Sequence, residues 1–339
     1  MKNAPRNLLI DLGSGYLKCG PPQLSIPIVI PAALKTSTPS QEPSVFRKLD
    51  PGRRSWIFPL EDGMLPKDPN LLVQLCKAAL EQFAQLKVNC SQMKVTLLVF
   101  PLSPSEQVTQ QCRIVQEELG FLHVDAAIQQ VLTWLYWGRK TGLIVDVGYS
   151  VSFITPIYRG FLLEEQVIPL VTGSFFVSAQ MKKLLLYQAE IADSPQSDLY
   201  TQLANDASAI SQIKQTFCQV RPYEVDGHFD KIAQYPYQDT ELSLGAVPWQ
   251  ATEVLFQPTL LGVGDKGLTD ALIGVLERVD TSIRAELASN IVLAGGGSMF
   301  PGLQARIQND LETQLPHLAV KVFDLEYPLY SNWLGAAKM

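Results

Sequence analysis

The sequence predicts an α/β protein made of two pseudo-repeated lobes, each a mixed sheet flanked by helices. Two observations carry this expectation. A short apolar run followed by an Asp-containing glycine turn occurs twice: Leu8-Leu9-Ile10 precedes Asp11-Leu12-Gly13-Ser14-Gly15, and Leu143-Ile144-Val145 precedes Asp146-Val147-Gly148-Tyr149-Ser150. A third apolar run, Ile291-Val292-Leu293-Ala294, ends in Gly295-Gly296-Gly297-Ser298. In such turns a buried strand delivers an Asp at its end, and small residues expose successive backbone N–H groups that can cradle anionic oxygens. One strand-Asp-x-Gly turn is an ordinary β-turn signal. Two of them half a chain apart form a repeat.

The elements follow in order. After the strand Leu8 to Ile10, Ile26 to Ile30 reads as a further strand whose Pro27 favours an edge position. From Lys35 to Ser55 the composition turns to Ser, Thr, Pro, Gln and Arg, a solvated excursion. Pro69 and Asn70 open a helix whose apolar face is Leu72, Leu75, Cys76, Ala79, Leu80 and Phe83. Val95 to Phe100 is an apolar strand of the kind buried on both faces. Ser103-Pro104-Ser105-Glu106 then reads as a capping box with proline at the first helical position, and Gly120 ends that helix.

The pattern restarts at Leu143 with a strand, a turn, a strand from Val151 to Pro156, another from Gln166 to Val171, and a helix from Phe175 onward. Ala189 to Gly245 is polar and mixed apart from a helix around Ile210 to Phe217, and reads as a subdomain grafted on the second half. Pro301 and Gly302 open a helix after the triple-glycine turn, where three glycines allow backbone to approach something flat or anionic.

At 339 residues the chain is long enough for two domains or two interleaved lobes. A net charge of −6 argues against direct nucleic-acid binding, which needs a basic face to displace counterions. The five cysteines, Cys19, Cys76, Cys90, Cys112 and Cys218, are widely spaced without any CxxC pair, so neither a disulfide framework nor a zinc site is indicated. His123, His228 and His317 lie far apart and read as structural. Met1 to Pro5 shows no signal-peptide pattern, and no apolar run approaches the ~20 residues that span a bilayer. Membrane insertion is not expected, and a cytosolic or nuclear location is.

A repeated strand-Asp-x-Gly turn with a later Gly-Gly turn resembles the superfamily of actin, heat-shock chaperone ATPases and sugar kinases, whose two lobes close on ATP. Further motifs stand in the order found in actin and the actin-related proteins. They are Ala127-Ile128-Gln129-Gln130-Val131-Leu132, Gly138-Arg139-Lys140-Thr141-Gly142, Pro156-Ile157-Tyr158-Arg159-Gly160, Leu255-Phe256-Gln257-Pro258 and Gly296-Gly297-Ser298-Met299-Phe300-Pro301-Gly302. The resemblance runs from Leu8 to Gly335 and implies an actin-like fold with an interlobe nucleotide cleft and two small inserted subdomains. It implies a first lobe of residues 1–136 plus 332–339, with a reduced small subdomain at 21–61. The second lobe would be 137–331, with an inserted subdomain at 173–263.

The resemblance also implies roles for residues. Gly13, Ser14, Gly15 and Lys18 would grip the phosphates of ATP or ADP on the first loop, and Gly148 on the second. Asp11 and Asp146 would hold the water shell of Mg2+. Gln129 matches the glutamine that orients an attacking water, which with Asp11 and Asp146 makes up the catalytic set. Lys214, Gln215, Gly295, Gly296, Gly297, Ser298 and Met299 would line the adenosine pocket. Taken alone, Lys18 and Lys214 read equally as solvated lysines and Gln129 as a hinge bridge; register with the other motifs assigns them to nucleotide.

Departures from the family concern chemistry and assembly. Tyr149 replaces a second loop aspartate and Ser150 a glycine, while Phe153 stands where actin has the histidine that helps position the lytic water. Gln215 replaces a ribose-binding glutamate and Leu329 a lysine that packs on adenine. The loop changes imply slow or absent hydrolysis, and the changes at the base pocket a reduced affinity. The chain stops at Met339 where actin continues, and the loop Leu260 to Gly267 is more polar than actin's plug, so polymerisation by this chain alone is not expected.

The implied role is a structural subunit that docks with other actin-like or complex subunits in a cytoskeletal assembly of the cytoplasm. Lys18-Cys19-Gly20 and Ile213 to Val220 resemble the pointed-end actin-related protein of dynactin. Alternatives are a nuclear subunit of a chromatin-remodelling complex and a polymerising ATPase.

Overall fold

In the computed structural model, the described residues are 6–35, 56–60, 63–83, 89–192, 196–221, 233–264 and 266–339. The excursion at 36–55, His228 and Asp265 lie outside them, as do residues 1–5.

The first sheet is built on β1 (Asn7–Leu12), whose interior residues are all buried. β1 turns back antiparallel into β2 (Tyr16–Gly20), and β2 pairs with β3 (Ile28–Pro31) at the edge. The expected strand at 26–30 thus starts two residues later, past Pro27, which lacks the N–H a ladder position needs. A small two-stranded piece, β4 (Leu34–Lys35) with β5 (Trp56–Ile57), flanks it. Helix α1 (Pro69–Glu81) is capped by Asp68, whose carboxylate accepts from the Asn70 amide. On the other side of β1 lie β6 (Lys94–Val99) and β7 (His123–Ile128), both parallel.

Between them runs α2 (Ser105–Leu119), which ends on left-handed Gly120 as expected. The capping box does not form. The helix starts one residue later than read, placing Pro104 rather than Ser103 at the cap position, and proline has no side-chain acceptor to offer.

The second sheet repeats this plan. β8 (Gly142–Val147) turns back antiparallel into β9 (Ser152–Tyr158), which also pairs with the short strands β10 (Phe161–Leu162) and β11 (Ile168–Leu170). The expected strand at 166–171 is shortened because Glu164–Gln166 forms a 3-10 turn. On the opposite flank β14 (Ile291–Ala294) and β15 (Val322–Asp324) run parallel.

Around this sheet pack α4 (Ser174–Ile191), α5 (Gln196–Asn205), α6 (Ala207–Thr216) and the hairpin of β12 (Ala233–Tyr237) and β13 (Thr240–Gly245). A short α7 (Val247–Gln250) follows, then α8 (Leu268–Arg278), α9 (Thr281–Ala288) and α10 (Leu303–Gln314). The stretch 189–245 differs from its polar reading. Tyr200, Leu203, Tyr235, Leu242 and Leu244 are buried in the same core as Leu143, Val145 and Phe176, so it extends the second core rather than standing apart.

The two halves are joined by α3 (Gln129–Trp137) and the last helix, α11 (Ser331–Ala336). Gly335 lies so close to α3 that a Cβ there would stand 1.8 Å from the Leu132 carbonyl oxygen. Trp333, fully buried, fills the junction with Leu9, Leu98 and Leu132. Among the described residues the five cysteines are unpaired. Burial pushes the Cys19, Cys76 and Cys218 thiols up to about 12, which keeps them protonated and inert.

Candidate functional site

Asp11 and Asp146 sit near the ends of the two central strands, and the two turns after them close in the same way. A Cβ on Gly13 would lie 2.5 Å from the Tyr16 carbonyl oxygen, and one on Gly148 would lie 2.4 Å from that of Val151. Each hairpin therefore closes on its own carbonyl only because the third residue of the turn is glycine.

Between the turns lies a cavity of about 660 Å³, inside the range of small-molecule sites. Its wall brings together Gly13, Ser14, Gly15 and Lys18 from the first loop, Asp146 and Gly148 from the second, and Gln129 from α3. Lys214 and Gln215 of α6, with Gly295, Gly296 and Met299, form the other end. Leu329 and the neighbouring Phe300 and Tyr330 make that end apolar.

Three sequence-expected residues are not on the wall. Asp11 is fully buried behind it. Gly297 and Ser298 face the protein: a Cβ on Gly297 would be 2.5 Å from the Val147 side chain, and the Ser298 hydroxyl donates to the Gly295 carbonyl at 2.8 Å. Gly295 has φ +80° and lies equally close to the Val147 carbonyl oxygen. Gly295 and Gly297 are thus required by packing on β8, whereas a Cβ on Gly296 would meet only the Leu329 side chain at 3.1 Å; Gly295 and Gly296 border the cavity.

The charged groups are tightly partnered. Lys18 donates to Asp11 Oδ2 at 2.5 Å, because the two stand directly opposite each other across β1 and β2. Asp11 Oδ1 accepts from Gln129 Nε2 at 2.9 Å and from Asn332 Nδ2 at 3.0 Å. Gln129 Nε2 also reaches the Leu12 and Leu98 carbonyls, so its amide nitrogen bridges strands at the hinge.

Asp146 Oδ2 accepts from Gln130 Nε2 at 2.9 Å. Desolvation pushes the Asp146 carboxyl up to about 6; nearby Asp11 adds to this, while Lys18 and the Gln130 hydrogen bond oppose it. Adjacent glutamines at the start of α3 therefore hold one aspartate from each sheet. Neither Gln130 nor Asn332 is marked by its own residue type. The signal for Gln130 is its adjacency to Gln129 within the Ala127 to Leu132 motif.

The second loop carries the departures. The ring of Tyr149 lies against Gly15, where a Cβ would fall 2.3 Å from its Cγ. It meets Tyr16 edge-on with centroids 6.0 Å apart and stands 5.6 Å from the Lys214 ammonium. The Ser150 amide donates to Ser14 Oγ at 3.2 Å, tying the loops together. The loop carbonyls of Gly148 and Tyr149 accept from Ser174 and Phe175, the first amides of α4. Phe153, which is buried, stacks on Phe100 of the first sheet at 5.8 Å.

A nucleotide fits this cavity. Two ammoniums, exposed loop backbone and an apolar far end match a polyphosphate joined to a base. A Mg2+ held by Asp11 and Asp146 fits poorly, since Asp11 already accepts three hydrogen bonds and does not line the cavity. Among the described residues Asp146 is the one acidic group lining the cavity, and no cluster of three metal-ligating side chains occurs.

Two repeated α/β lobes with paired Asp-Gly turns around an interlobe cavity define a protein of the actin-like fold class. The Actin family profile matches residues 6–339, and the chain belongs to that family. It is 29% identical over 240 residues to actin-related protein 2 of Acanthamoeba castellanii, covering 68% of this chain and 59% of that protein. It is 25% identical over an alignment of 369 residues to actin-related protein 2 of Schizosaccharomyces pombe, covering 99% and 91%. Actin-family members bind nucleotide with a divalent metal. No helix among the described residues is long and apolar enough to cross a membrane.

Proposed function

We propose that this chain is a structural subunit of an actin-like assembly that clamps ADP or ATP between its lobes and hydrolyses it weakly or not at all. The observation that carries the reading is the stack of Phe153 on Phe100 beside the loops, which puts a phenyl ring where the resemblance expects a histidine. The Gln129 amide nitrogen is committed to Asp11 and two carbonyls across the hinge, which leaves only its carbonyl oxygen to contact a water in the cavity. The lobes are assigned to 1–136 plus 332–339 and to 137–331, with insertions at 21–61 and 173–263.

The cavity residues Gly13, Ser14, Gly15, Lys18, Gly148, Lys214, Gln215, Gly295, Gly296 and Met299 form the clamp in this reading. Partners are other actin-like or complex subunits, in the cytoplasm and cytoskeleton. The Lys18-Cys19-Gly20 and Ile213 to Val220 segments favour a place at the end of a filament like dynactin's.

Two measurements test the reading. Millimolar ADP or ATP is expected to raise the melting temperature, because a ligand that binds only the folded state stabilises it by mass action. No shift would sink the clamp. Phosphate release should stay at the no-protein background; turnover that disappears in Gln129→Ala would replace this reading with a working ATPase.

A further inference from the structure

We propose that the cleft binds its nucleoside polyphosphate without a divalent cation, the phosphate charge being met by the Lys18 and Lys214 ammoniums and by loop amides. This rests on the nucleotide reading above and concerns only what neutralises the phosphates.

The argument begins with the lone pairs of Asp11. An ionised carboxylate offers about four acceptor sites, and three are taken: Oδ2 by Lys18, Oδ1 by both Gln129 and Asn332. The residue is fully buried and does not reach the cavity wall. A hydrated Mg2+, which needs near-octahedral geometry and keeps several waters, would find a single acceptor site left there, on a carboxylate set behind the wall.

Asp146 offers little more. Its Oδ2 is taken by Gln130, and its Oδ1 packs on Gly295, where a Cβ would fall 2.3 Å away. The next loop position carries the Tyr149 ring, pressed on Gly15, and the Ser150 amide is given to Ser14.

Lys18 occupies the space beside Asp11 that a cation would need. Its ammonium has three donors, so it can keep Asp11 and still offer a proton to a phosphate oxygen in the cavity it lines. Lys214 lines the same cavity from α6, its ammonium already held near the loops by the Ser174 carbonyl at 3.2 Å. With Asp11 behind the wall, two ammoniums face two carboxylates, but on the wall itself the ammoniums outnumber Asp146, a lining better suited to a polyanion than to a dication.

Isothermal titration of the full chain with ADP, and separately with ATP, in excess Mg2+ and in excess EDTA decides the matter. The dissociation constants in the two buffers are expected to agree within about threefold. A greater weakening in EDTA overturns the proposal. Binding in neither buffer overturns the nucleotide reading itself and takes this proposal with it.

Two variants probe the cause. Lys214→Met should weaken binding in EDTA by more than about threefold, and an unchanged constant overturns the role given to the ammoniums. Tyr149→Asp returns a carboxylate to the second loop and should make binding depend on Mg2+; equal constants in both buffers would overturn the role given to Tyr149.

Discussion

Lys18 and Phe153 occupy equivalent positions in the two sheets, directly across the hairpin from Asp11 and Asp146 respectively. The first pair makes an ion pair at 2.5 Å. The second places a phenyl ring opposite a carboxylate, so Asp146 has no cation on its own sheet and turns to Gln130 of α3. The phenyl instead crosses to the other half, where Phe153, Val151 and Val167 join the core of the first sheet. One substitution thus moves a site from chemistry to packing, and the two halves are held together by buried apolar surface as well as by the cleft.

Truncating that ring should therefore cost stability before it touches ligand binding. Phe153→Ala removes a buried aromatic that stacks on Phe100. Urea unfolding is expected to show a loss of about 3–5 kcal/mol, with Phe153→Leu losing less. A loss below about 1 kcal/mol would mean the ring packs on nothing that matters.

The Asp146 carboxyl makes stability depend on pH. Its folded value is raised from 3.8 to about 6, first by desolvation. A raised value means that the folded state binds the proton more tightly than the unfolded chain. The ionised group therefore opposes folding above about pH 6, and the penalty fades as pH falls through 6 toward 3.8. Between pH 7.5 and 5 the wild type should gain about 1 kcal/mol relative to Asp146→Asn, which does not titrate. Parallel pH profiles for the two proteins would contradict the shift.

The sequence made the repeated strand–turn plan legible because both copies keep an Asp, a glycine two residues later and a returning strand with the same seven-residue spacing, Asp11 to Lys18 and Asp146 to Phe153. Of the site residues named from the sequence, all but Asp11, Gly297 and Ser298 line the cavity, since Gly13, Ser14, Lys18, Gln129 and Lys214 lie in ordered motifs. The sequence placed Gly297 on the wall with Gly295 and Gly296, because a glycine needed for tight packing on Val147 and one that borders a cavity look alike in sequence. Gln130 and Asn332 escaped notice because a neutral amide becomes a functional partner only through the long-range contact that brings it to an aspartate. The polar stretch at 189–245 hid its core because its buried residues, such as Leu203 and Leu244, are spread over two helices and a hairpin.

Glycine positions in helices give predictions of opposite sign. An alanine at Gly335 would drive its Cβ to 1.8 Å from the Leu132 carbonyl oxygen, and backbone cannot move aside as a flexible side chain can. Gly335→Ala is expected to lose about 3 kcal/mol or to fail to fold, since α11 must separate from α3. Gly274, inside α8, has nothing within 4 Å of the added carbon. Gly274→Ala should gain about 0.5–1 kcal/mol through helix propensity. Thermal unfolding of the pair checks both, and equal shifts would refute the packing of α11.

The buried Arg306 provides the last prediction. Its guanidinium donates to Asp310 at 3.1 Å, to Glu253 at 3.1 Å and to the Arg221 carbonyl at 3.0 Å, and lies 4.4 Å from the Phe256 ring centroid. Asp310 also accepts from Thr269 at 2.9 Å, so one side chain ties α10 to α8 and to the 3-10 segment Ala251–Leu255. The Val220 amide, next to Arg221, holds the carbonyl of Pro301 on the cavity wall. Arg306→Met fills the volume but leaves two carboxylates in the interior without their cation, which should cost about 3–5 kcal/mol. Arg306→Lys keeps the charge but loses the forked geometry and should fall between the two. Urea unfolding ranks the three proteins, and a methionine variant as stable as the wild type would show that the carboxylates find other partners.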